Sequence, residues 1–149
     1  MDWLNGPLVW AIDEWHQPMY LFPRDCPRIV LWPTEETRQK DLGDYFGTSC
    51  ARMVAYIEED WLPRLQTQAL YRYELPQGPF QCLEDAGMWV SRETVRPLGK
   101  ILVENLPEAL DQSGVELHTI DSLTALRSVW ETSLHASGIR LSHAKGWGA

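Results

Sequence analysis

The chain is poor in the features that announce a function. Its longest apolar runs, such as residues 8–12 and 53–57, are five residues long, far short of the ~20 that span a bilayer. No GxSxG elbow, GxxxxGK[ST] loop or GxGxxG turn occurs, which argues against a serine hydrolase of that class, a P-loop enzyme and a simple dinucleotide fold. His16, His118, His135 and His143 show neither HxxxH nor HExxH spacing, so no metal site is expected. The three cysteines form no CxxC pair and leave one over, a pattern expected of a reduced, cytoplasmic protein without a secretory leader. Positive charge is scarce too. Thirteen basic residues face 21 acidic ones for a net charge of −8, and that field repels phosphate backbones. Duplex nucleic acid is therefore not an expected partner, although a local basic pocket is compatible with the whole, and the short apolar runs give no expectation of a membrane.

Large aromatics are plentiful. Eight tryptophans and five tyrosines provide apolar anchors for one core, and 149 residues match a single domain. Because most tryptophans sit in apolar strands or on helix stripes, they are expected in that core and not on a stacking platform. The run LVWAI (8–12) reads as a strand covered on both faces, followed by a short helix that Asp13 caps and Pro18 limits. RIVLW (28–32), ARMVAYI (51–57), MWVS, LGKILVE and VELHTI (115–120) read as further strands. ALYRYEL (69–75) alternates, with Tyr71, Tyr73 and Leu75 on one face. Helices are expected over about 34–46, within EEDWLPRLQ, after the capping-box-like pair Asn105 and Glu108, and over about 121–136. In the last, Leu123, Leu126, Val129, Trp130 and Leu134 form the stripe. Gly138 ends it before a final strand, GIRLS. The expected fold is α+β, a single domain over residues 1–149, with a mixed, largely antiparallel sheet and three to five short helices packed on it.

Two constellations could carry chemistry. In FPRDCPR, Pro23 and Pro27 stiffen a helix-to-strand elbow, while Arg24 and Arg28 flank Cys26. Positive neighbours favour a thiolate, and loop arginines hold anions. The bland alternative is a rigid elbow around a small buried thiol. In WVSRETVRP, Glu93 lies between Arg92 and Arg96, with Ser91 nearby. Two guanidinium groups would keep such a carboxylate ionised, able to accept a ligand hydroxyl or stabilise a developing cation. Surface ion pairs at a strand end are the alternative there. His16, one turn after Asp13, is a candidate oriented imidazole or a satisfied capped histidine.

Together, VWAIDEWHQPMYLFPRDCPRI, LYRYEL, MWVSRETVRPLG and SGIRL resemble a bacterial family of small proteins with no established activity. The likeness runs from about Pro7 to His143. Members of that family usually open with an extra strand reading like FHFSE. With only Met1 to Gly6 ahead of Pro7, this chain is expected to lack it. A more distant similarity is to ADP-ribosyltransferase-like folds, which include RNA 2′-phosphotransferases. That similarity implies NAD or another nucleotide as ligand and places Glu93 as the catalytic carboxylate on a late strand.

Two readings follow. In one, a nucleotide-like ligand sits between the sheet and the segment after Asp13, contacted by Asp13, His16, Arg24, Arg28, Ser91, Arg92 and Arg96, with Glu93 on a ribose hydroxyl. That domain would be inactive if the missing strand carries the NAD grip. In the other, the chain is a non-catalytic interaction or structural module, with a homodimer as one form.

Overall fold

A computed structural model describes residues 6–148. In chain order the strands are β1 (Val9–Ile12), β2 (Arg28–Trp32), β3 (Met53–Glu58), β4 (Leu70–Glu74), β5 (Gln81–Cys82), β6 (Met88–Ser91), β7 (Gly99–Val103), β8 (Val115–Ile120) and β9 (His135–Ile139). The α-helices are α1 (Gln39–Tyr45), α2 (Leu62–Thr67) and α3 (Leu106–Gln112), joined by short 3₁₀ turns.

Three sheets form. The central one has the order β8-β3-β2-β9, with β3 parallel to β8 and antiparallel to β2. The others are β1-β6-β5 and the two-stranded ribbon β4-β7, both antiparallel. This is a single α+β domain with mixed, mostly antiparallel pairing.

The central sheet exists because its strands are apolar on both faces, so each face must be covered. Val30 and Trp32 join Met53, Ala55 and Ile57 in a cluster with Met19, Leu21, Phe22 and Cys26, the α2 residue Leu65, and Leu106 and Leu110 of α3. Their neighbours Ile29, Leu31 and Val54 face the other way, onto Phe46, Leu123, Leu126, Val129 and Leu134. Glu58, 1% exposed at the end of β3, accepts the N–H groups of Leu123 and Lys145. A buried carboxylate thereby ties the C-terminal segment to the sheet.

Three expectations are corrected. The helix of 34–46 begins only at Gln39, because Thr34 and Thr37 bond each other in a turn instead. The helix of 121–136 is a 3₁₀ run, Leu123–Glu131. Leu123, Leu126 and Val129 are spaced by three, which lines up one face at three residues per turn. Trp130 falls off that face and is exposed. Beyond it the chain extends as β9, so Gly138 sits within a strand, and Arg140 turns the chain at φ +55° where the sequence suggested further strand.

Candidate functional site

The tryptophans and tyrosines are not all core. Trp10, Trp15 and Trp130 are exposed, as are Tyr20, Tyr71 and Tyr73, while Trp32 is buried and Trp3 lies outside the described residues. Four of the exposed rings (Trp10, Tyr20, Tyr71 and Tyr73) line one groove of about 960 Å³. That volume is at the upper end of ordinary ligand clefts, roughly 300–1,000 Å³.

Two strands, β1 and β4, line the groove along their whole length. Among the described residues β1 pairs only with β6, and β4 only with β7. All four residues of β1 and all five of β4 line the groove. Side chains alternate between the faces of a strand, so residues from both faces of β1 and of β4 border the groove. The charged groups of the groove are Asp13, Glu14, Arg72 and Glu74.

Asp13 joins the groove to a ring cluster behind it. Its N–H donates to the Gly87 carbonyl at 2.9 Å. Its Oδ1 accepts the His16 N–H at 2.8 Å and lies 2.8 Å from His16 Nδ1. The expected cap and the expected oriented imidazole are thus one arrangement, although regular 3₁₀ structure is confined to Gln17–Tyr20. His16 packs edge-on against Trp15 and Trp32, and Trp32 stacks on His135 with ring centroids 4.1 Å apart. Burial pushes the His135 pKa down, the Asp85 charge opposes the shift, and His16 adds to it. Gly87, at φ +76°, is required here, since a Cβ would lie 2.4 Å from His16 Nδ1 and 2.7 Å from Asp13 Oδ2.

The FPRDCPR elbow is built for support. Cys26 is fully buried, and burial pushes its thiol up to about 12 against the pull of Arg28. It is a packed thiol and no nucleophile at neutral pH. Arg28 is 3% exposed. Its guanidinium donates to the Met19 and Cys26 carbonyls and lies 5.6 Å from the centre of the Tyr20 ring and 5.2 Å from that of Phe22. Burial lowers its pKa to about 10, so it stays charged at neutral pH and braces a groove ring from below. Arg24 is exposed on the turn.

The second constellation stands elsewhere. Ser91 is buried, its hydroxyl accepting the Glu93 N–H and donating to the Glu93 carbonyl. Glu93, Arg92 and Arg96 are exposed and outside the groove lining, whereas Val95 and Pro97 belong to it. Ser91 pairs with Val9, while Met88, beside Gly87, pairs with Ile12. The Asp13–His16 pair and Ser91 therefore lie towards opposite ends of a four-residue ladder whose end residues are ~10 Å apart at ~3.3 Å per residue. Glu93 is not brought to Asp13 and His16. No group of three or more His, Cys, Asp or Glu among the described residues is placed to hold a metal ion. No helix there is long and apolar enough to cross a membrane.

The chain belongs to a family of unknown function, DUF6886, which matches residues 2–144. No curated protein and no solved structure gives a significant match, and nothing in these comparisons links the chain to ADP-ribosyltransferases.

Proposed function

We propose that this member of the family is a binding module whose working surface is the groove between β1 and β4. The observation that carries the reading is the groove's composition: exposed aromatic rings and carboxylates along two strands that, among the described residues, are paired on one side only. Exposed apolar residues on the ribbon, Leu98, Ile101 and Leu102, extend the same character beyond it, and such patches mark interaction sites. This is the interaction-module reading of the sequence, with its surface now specified.

The nucleotide reading has its own support in the same groove. Tyr71, Tyr73 and Trp10 offer faces for a base, and Asp13 or Glu74 could accept ribose hydroxyls. Its phosphates fare worse. Arg28 is committed beneath Tyr20, and Arg24, Arg92 and Arg96 lie outside the lining, which leaves Arg72 against three carboxylates.

A thermal-shift and tryptophan-fluorescence panel with NAD, ADP-ribose and AMP tests the choice. The module reading predicts no shift with any of them. A ligand at a hundred times its Kd stabilises by about 2.7 kcal/mol, so a shift of several degrees that disappears in Trp10→Ala would hand the groove to nucleotides.

A further inference from the structure

We infer that the groove takes an extended basic peptide segment of a partner protein, added as a strand between β1 and β4. The inference rests on the groove being the binding surface and adds the partner's chemistry. Among the described residues β1 and β4 each pair on one side only, and both line the same groove. A row of backbone N–H and C=O groups is a ready template for another strand. One inserted segment would bond to both edges at once, doubling the main-chain hydrogen bonds of ordinary strand addition. Five residues of β4 match a five-residue segment, about 17 Å at ~3.4 Å per residue.

The side chains choose the charge. Asp13, Glu14 and Glu74 against Arg72 leave the lining two negative charges in excess, three acids less one base. Exposed rings stand among these carboxylates, and a Lys or Arg is attracted by both. The ribbon already makes that pairing within the chain: Lys100 Nζ lies 4.1 Å from the centre of the Tyr71 ring. Peptide side chains pointing alternately to the two faces would meet Trp10 and Tyr73 with apolar or cationic groups. A second copy of this chain is the poorer occupant, because two molecules of net charge −8 repel.

The test uses the full chain and an array of blocked heptapeptides that alternate valine with lysine, glutamate or serine, read by tryptophan fluorescence. Lysine members should bind and glutamate members should not. Methylating the amides along one edge of the best peptide should weaken it at least tenfold, and Trp10→Ala and Tyr73→Ala should each do the same. Binding unaffected by amide methylation would overturn strand insertion. If serine peptides or AMP bind in place of lysine peptides, and Trp10→Ala abolishes that binding, the basic-peptide inference fails while the groove stands. If no peptide or nucleotide changes the fluorescence, both fall.

Discussion

The central strand β2 and the ribbon strand β4 are equally long and face opposite fates. RIVLW is apolar without interruption after its arginine, and all five residues are buried between two packed layers. LYRYE alternates in sequence, yet four of its five residues are exposed and the fifth is half-buried. Alternation normally means one face on the core and one in water. β4 instead borders the groove with all five of its residues, while Leu70 also packs against the core. On the binding-module proposal, that exposed strand is the surface a partner covers.

That contrast sets the size of mutational effects. Leu31→Ala, at a fully buried site, should cost about 2–5 kcal/mol in urea unfolding. Leu102→Ala on the ribbon, 48% exposed, should stay within about 0.5 kcal/mol. Equal losses at the two positions would mean that the ribbon packs as core and would remove the basis for a free groove. Glu58→Gln comes next, at about 1–3 kcal/mol, because one oxygen and the charge that held the Leu123 and Lys145 N–H groups are lost.

A smaller effect is expected beside the groove. Gly87→Ala forces a side chain into φ +76° and into contact with His16 and Asp13. About 1–2 kcal/mol follows from the left-handed backbone alone, and the His16 ring resonances should move in the NMR spectrum. An unchanged imidazole would show that Gly87 does not hold the dyad in place.

The smallest effect is a pH dependence. His135 has its pKa lowered first by burial, with Asp85 opposing and His16 reinforcing the shift, while Ser137 and Trp32 complete its surroundings. A lowered histidine pKa means that the unfolded chain binds the proton more readily. This contribution is whole above the ordinary value of 6.5 and is lost as the pH falls through the lower native value. His135→Gln should flatten that part of the stability curve. A separate loss at lower pH, from Asp41 held below 3.8 by the Ser133 hydroxyl and N–H, should persist in the variant.

Much of the fold was legible because it is written locally. The central strands announce themselves by continuous apolar runs, and VELHTI coincides with β8. Asn105 caps α3 by accepting the Glu108 N–H, as the capping pair suggested. The 3₁₀ run departs from the expected helix because a spacing of three also satisfies an α-helical stripe, so the apolar pattern does not separate the two, whereas the three-residue hydrogen bonds at its ends do. The site was half legible. The Asp13–His16 contact follows from spacing within one turn, and the buried Cys26 from its elbow. The groove did not, because it depends on which strands remain unpaired on one side, and it brings together residues some sixty positions apart, such as Trp10 and Tyr71. A signal was present in LYRYE, where the face opposite the tyrosines carries Arg72 and Glu74.

Hydrogen exchange on the full chain, free and with the best lysine–valine heptapeptide, tests the central claim most directly. The account predicts that the free chain protects β2 and β3 strongly, and that edge amides of β1 and β4 exchange fast. The peptide should then slow exchange in Val9–Ile12 and Leu70–Glu74 together. Protection confined to one of these strands, or appearing elsewhere, would contradict insertion between them.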